Sequence, residues 1–196
     1  DLNGNIASNP SFGLVATDVN TVTTAPTTPN STTVGTTLNG TYTVGAGGNY
    51  TTLTAAINAY NTGCLAGPVV FELTDATYSA SETFPISIGL NNDASATNTL
   101  TIRPTGTATI TGTNATSLIT FNGARYVTID GRIGSTGTTH SLTIANTTGP
   151  AVVLINDANN NTVKYSDLKS DNTSTTSGVV LFSTTTGANG NDNNTI

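Results

Sequence analysis

From residue 69 onward the apolar positions fall in short runs separated by Gly, Asn, Asp, Ser and Thr. The runs at 69–73, 84–88, 100–103, 108–111, 118–121, 126–129, 142–145, 152–155, 162–165, 179–182 and 195–196 each predict a strand. A further strand is predicted at 42–44, followed by a loop through Gly45-Ala46-Gly47-Gly48. Only one segment has a helical period. Leu53, Ala56, Ile57 and Tyr60 fall at i, i+3, i+4 and i+7, one apolar stripe on a helix over 51–61. Asn49 or Thr51 is the expected cap of its start, and Gly63 its stop.

Short strands at such spacing fit a sandwich, an antiparallel barrel or a solenoid. Internal repetition separates them. Asn160-Asn161-Thr162-Val163 recurs as Asn193-Asn194-Thr195-Ile196, and Ala151-Val152-Val153-Leu154 as Gly178-Val179-Val180-Leu181. Tyr126-Val127-Thr128-Ile129-Asp130-Gly131 matches Thr162-Val163-Lys164-Tyr165-Ser166-Asp167 in pattern. Repeats of unequal length, differing in their loops, mark a solenoid with about three strands per coil. Its core is expected to hold Val127, Ile129, Val163 and Tyr165, with Val127 stacked on Val163. Asn at the recurrent turns tolerates left-handed backbone and can stack in hydrogen-bonded ladders.

The stretch Tyr42-Thr43-Val44-Gly45-Ala46-Gly47-Gly48-Asn49-Tyr50-Thr51-Thr52-Leu53, with Ala55-Ala56-Ile57, resembles the N-terminal cap of pectin-lyase-like β-helix proteins. Gly67-Pro68-Val69-Val70-Phe71, Tyr-Val-Thr-Ile-Asp-Gly and Asn-Asn-Thr-Val resemble modules of large secreted bacterial surface proteins of that superfamily. The resemblance implies an all-β, right-handed parallel β-helix over 40–196. Its parts are a cap at 40–66, coils at 67–196, a capping helix, and an extended Thr/Pro/Asn-rich arm at 1–39. It is specific for fold and poor for activity, because the superfamily includes lyases, hydrolases, esterases, adhesins and phage spikes.

A helix laid across one end hides unpaired backbone and apolar core. The sequence offers no matching cap at the other end, where the repeat breaks off at Asn194-Thr195-Ile196. Further residues or another molecule is the expected cover. The arm reads either as a linker or as a source of an added strand, through Leu14 and Val15 or through Val19 to Val22. Leu14, Val15, Val19 and Ile196 are the assembly candidates. Asp1-Leu2-Asn3-Gly4-Asn5 resembles the closing segment of a preceding module. With Asp1 in place of an initiator, the chain reads as a processed product or an excised piece.

Composition narrows the function. The chain holds 44 Thr and 24 Asn, and only 8% of residues are charged. Its 35% hydrophobic residues lie in bounded runs, which speaks for a fold rather than for disorder. With net charge −6, its five basic residues cannot make the patch that a nucleic acid needs. No apolar run is long enough to span a bilayer as a helix. Cys64 is the single cysteine, so no internal disulfide forms. Scarce Lys and Glu beside abundant Thr, Asn and Gly favour a secreted or cell-surface protein.

Candidate chemistry is sparse. Asp130 and Arg132 follow one strand and are the catalytic candidates, since superfamily lyases and hydrolases work through clustered carboxylates with a basic residue. With Val127 over Val163, Asp130 would sit above Ser166, and Asp167 would face the other way. Asp130 then reads as a turn former. His140 lies in a polar turn with no evident partner. Gly187-Ala188-Asn189-Gly190-Asn191-Asp192 approximates one copy of the Ca²⁺-binding nonapeptide and makes Asp192 the metal candidate. The glycine-rich loop before the helix lacks the P-loop Lys-Ser/Thr pair and the spaced Rossmann glycines, which removes a nucleotide site. Thr-x-Thr runs at 97–113 raise an ice-binding face, but they follow one another through turns instead of lining successive coils. Sequons at Asn30, Asn114 and Asn172 are expected by chance in so Thr- and Asn-rich a chain.

The expected function is therefore a non-catalytic extracellular module of a surface, adhesin or self-assembling fibre protein. Its partners are other copies or further modules. The alternative is a carbohydrate-active or carbohydrate-binding β-helix, with Tyr78, Tyr126 and Tyr165 as stacking candidates.

Overall fold

Alternation of apolar and polar residues sets the architecture: Cys64–Leu73, Ile86–Gly89, Leu100–Pro104 and Leu142–Asn146 bury every second side chain. A computed structural model describes residues 36–183 and 189–196. They belong to one compact unit, Gly35–Ile196. Among the described residues thirteen strands, all paired in parallel, build a β-solenoid of about five turns. The order begins with β1 (Thr37–Val44), α1 (Leu53–Thr62), β2 (Cys64–Leu73), β3 (Thr77–Tyr78) and β4 (Ile86–Gly89). It continues with β5 (Leu100–Pro104), β6 (Ala108–Gly112), β7 (Ile119–Asn122), β8 (Val127–Asp130), β9 (Leu142–Asn146) and β10 (Val152–Ile155). The last strands are β11 (Thr162–Lys164), β12 (Ser166–Ser170) and β13 (Val180–Phe182).

Three sheets wrap one core. Sheet A runs β1-β2-β5-β8-β11, sheet B runs β3-β6-β9-β12, and sheet C runs β4-β7-β10-β13. A parallel bridge from Thr162 to Thr195 begins another rung of sheet A. Inward side chains stack in rows: Phe71, Ile102, Ile129 and Val163 in sheet A, and Tyr78, Ile110, Ile144 and Leu168 in sheet B. In sheet C the row is Ile88, Phe121, Leu154 and Phe182.

The register corrects two expectations. Val163 pairs with Ile129 instead of Val127, and Val152 pairs with Val180 instead of Val179. Tyr165 is not a core residue. It turns at φ 51° between β11 and β12, and its half-buried ring lies outside the solenoid. The register at this corner also explains a glycine. A Cβ on Gly131 would meet the Tyr165 carbonyl oxygen at 1.9 Å, so no side chain fits where the two coils touch.

Asparagines fasten the corner between sheets C and A. Tyr126, Asn160 and Asn193 occupy the same place in successive coils, with φ of 56°, 56° and 55°. The next residue in two of those coils is an asparagine that reaches back one rung. Asn161 Oδ1 accepts from Val127 N at 3.1 Å, and its Nδ2 donates to Ala124 O at 2.8 Å. Asn194 repeats both bonds on Asn161 N at 3.0 Å and Ala158 O at 2.7 Å. A second such clasp joins sheets B and C, where Asn146 bonds Asn114 N at 3.1 Å and Asn114 O at 2.7 Å. These amides, buried at Asn146 and Asn161, satisfy corner backbone that has left the strand ladders.

The helix buries Leu53, Ala56, Ile57 and Tyr60, the predicted stripe. Its cap is Thr52, not Asn49 or Thr51: the hydroxyl accepts from Ala55 N at 3.0 Å. Glu82, from the segment after β3, completes the start by accepting from Leu53 N at 2.8 Å and Thr54 N at 2.7 Å. An anion is favoured there by the helix dipole as well as by the open N–H groups. Glu82→Ala is expected to lower stability by about 1–2 kcal/mol. Faster hydrogen exchange at the first turn of α1 would accompany it, and Glu82→Gln should restore part of the loss.

Candidate functional site

The outward positions of sheet A carry two kinds of side chain. One column reads Thr101, Thr128, Thr162 and Thr195, single threonines on one face of successive coils. The other column is charged. Arg103 donates to Glu72 through Nη2 at 2.8 Å and Nε at 3.2 Å, and Lys164 stands beside Asp130 with Nζ 3.6 Å from Oδ2. Asp130 therefore faces Lys164, not Ser166.

Asp130 and Arg132 are brought together, as a closed pair. Arg132 Nε lies 2.8 Å from Oδ1 and Nη2 2.7 Å from Oδ2, and Arg132 N adds a bond at 3.2 Å. The carboxylate is 1% exposed. Burial pushes its pKa up, but hydrogen bonds from the Arg132 side chain and backbone, with the charges of Arg132 and Lys164, hold it down at about 2. Arg132 is in turn seated on Tyr165, with its guanidinium carbon 4.2 Å from the ring centroid. A carboxylate so bound and so acidic is a poor proton acceptor, and substrate cannot reach it.

Its measurable effect is on acid stability. The folded pKa of about 2 lies below the unfolded value, so the pair stabilises the fold fully above about pH 4 and its contribution is lost as pH falls through about 2. The contribution is about 2 kcal/mol at neutral pH, by the linkage between pKa and stability. Asp130→Asn should flatten the dependence of the unfolding free energy on pH in that window. An unchanged acid limb in urea titrations would refute the assignment.

His140 has the partner that the sequence did not reveal. Its Nδ1 lies 2.9 Å from Asp167 Oδ1 on β12, and its ring packs perpendicular to that of Tyr165 with centroids 5.9 Å apart. Both members of this pair are about half exposed. Beside the pair an open hollow of about 430 Å³ is lined by His140, Lys164, Tyr165, Leu168, Thr195 and Ile196. Asp130 and Asp167 are not brought into one acid pair, since they lie on different sheets. The missed signal is β12, where Ser166-Asp167-Leu168-Lys169-Ser170 alternates around a single apolar residue.

A second hollow of about 420 Å³ lies between α1 and sheet C, lined by Thr54, Asn58, Asn61, Ser87, Leu90 and Asn122. Its lining is neutral, and Asn61 already bridges Ser87 O at 2.8 Å and Gly89 N at 2.9 Å. The metal candidate Asp192 is exposed, and its carbonyl accepts from Asn160 N at 3.2 Å. Among the described residues no three His, Cys, Asp or Glu side chains gather in a way that could hold a metal ion. Gly187 and Ala188 of the nonapeptide-like stretch, and the assembly candidates Leu14, Val15 and Val19, lie outside the described residues.

Neither a protein-family model, nor a curated protein, nor a solved structure matches this chain. The site must therefore be read from its own chemistry. Tyr78, one of the stacking candidates, is buried, with its hydroxyl donating to Val44 O. Tyr165 offers a ring face to Arg132 and packs perpendicular to the His140 ring.

Proposed function

We propose that the chain is a non-catalytic, extracellular β-helix module of a surface protein, an adhesin or a self-assembling fibre, of the pectin-lyase-like kind. The observation that carries this reading is the closure of Asp130 by Arg132 and Lys164. The acidic group that resembles a superfamily catalytic residue serves to tie coil to coil. The neutral Thr/Asn surface supports the same reading, because rows of uncharged hydroxyls and amides suit extended contact better than binding of a charged substrate. Negative-stain electron microscopy beside light-scattering mass tests it. Ordered fibres, or a rod of one module's length that joins others, are the expected result.

The exposed His140–Asp167 pair beside Tyr165 favours one second reading, a carbohydrate-active or carbohydrate-binding β-helix. Incubation with uronate polysaccharides, with and without Ca²⁺, separates the two. Turnover abolished by His140→Ala overturns the structural reading.

A further inference from the structure

Sheet C begins at β4, and α1 rather than a strand lies beside that edge. Asn61 supplies the bonds that a strand would give, donating to Ser87 O and accepting from Gly89 N. A helix is about 10–12 Å across, whereas neighbouring strands stand about 4.8 Å apart. The flank of α1 therefore rises above the outer surface of sheet C, and the step between them is the hollow of about 420 Å³.

The sequence of β4 deepens this step. Its outward residues are Ser87 and Gly89, where β7 has Thr120 and Asn122 and β10 has Val153 and Ile155. Nothing in the packing demands glycine at 89. Its φ is negative, and a Cβ would come no nearer than 3.4 Å to Asn61 Oδ1, an ordinary contact. Glycine inside a strand weakens it and marks the close approach of another group. The space that a side chain would fill here belongs to the hollow. Groups around it are free to bond. Among the described residues, the Asn58 amide, the Ser87 hydroxyl and Asn122 Nδ2 have no protein partner, while Asn122 Oδ1 accepts from Asn156. No charged side chain lines the hollow, and Leu90, 46% exposed, gives it an apolar wall.

We infer that the step between α1 and sheet C binds a short stretch of a neutral sugar chain. Amides and hydroxyls both donate and accept, as sugar hydroxyls do, and Leu90 suits the C–H face of a pyranose ring. An anionic sugar or a phosphate would find no counter-charge there. An added β-strand would find the β4 edge already held by Asn61. The site is separate from the His140–Asp167 corner. It gives the surface-protein reading a ligand and rests on that reading.

Cellobiose, diacetylchitobiose and lactose, with digalacturonate as the charged comparator, are the probes for the nitrogen-labelled 196-residue protein. At millimolar sugar, at least one neutral disaccharide should shift the side-chain amide resonances of Asn58 and Asn122 to saturation, and digalacturonate should not. Asn58→Ala should weaken binding about fivefold, the loss of one or two hydrogen bonds. Gly89→Ile, which gives β4 the residue of β10, should abolish it. Unchanged hydrogen exchange along α1 shows that a variant folds, and the exposed Asn58 carries the test if Gly89→Ile unsettles the helix. No saturable shift with any of the three neutral sugars overturns the inference. So does binding that neither variant weakens, or an equal response to digalacturonate. Fibres are read separately by microscopy, so their absence leaves sugar binding standing and their presence does not supply it.

Discussion

Asn161→Ala is expected to destabilise the protein by about 3 kcal/mol, although it removes no apolar surface. Asn161 is 1% exposed and reaches in two directions across the same corner. Its loss orphans Val127 N, a buried donor whose desolvation costs about 1–3 kcal/mol, and takes one of two donors from Ala124 O, which keeps its bond from Asn159 N. The bond from Asn161 Nδ2 to Asn194 Oδ1, 3.0 Å long, is lost as well. Asn161→Asp makes a sharper comparison, because it keeps an acceptor for Val127 N while removing the donor to Ala124 O and burying a charge. It should be at least as damaging at neutral pH and recover partly on acidification. Urea midpoints for both variants, with exchange rates at Val127, check the claim. Loss below about 0.5 kcal/mol would mean that water replaces the amide and that the ladder only decorates the corner.

The ladder also shows what could be read from residues alone. The recurrence of Asn-Asn-Thr beside an aliphatic residue located the repeat, and Thr162 does pair with Thr195 as that recurrence implies. The helix stripe, the parallel three-strand coils and most strands were visible for the same reason: period and burial are local properties of the pattern. Register was not. Tyr126 and Asn160 share a corner, yet the likeness of 126–131 to 162–167 sets the coils two residues out. That offset places Tyr165 in the core and Asp130 over Ser166. Left-handed corners cause it, since they interrupt the alternation at a point that one sequence does not mark when the residue is tyrosine rather than asparagine or glycine. The strand Ser166–Ser170 was missed because it offers one apolar residue to the core, and with it went the partner of His140. A pair formed across coils can only be seen once register is known.

Register sets the second large effect too. Phe121→Ala is expected to cost about 3–5 kcal/mol, whereas Phe182→Ala in the same row should cost under about 1 kcal/mol. Phe121 is fully buried between Ile88 and Leu154, so truncation opens a cavity bounded on both sides by neighbouring rungs. Among the described residues Phe182 has a row neighbour, Leu154, on one side, and it is half exposed. Because each coil touches mainly its neighbours, damage at Phe121 should weaken the interfaces to β4 and β10 together. The signature is a thermal transition that both falls and broadens, while Phe182→Ala shifts it little. Equal costs would mean that Phe182 is packed as closely as Phe121.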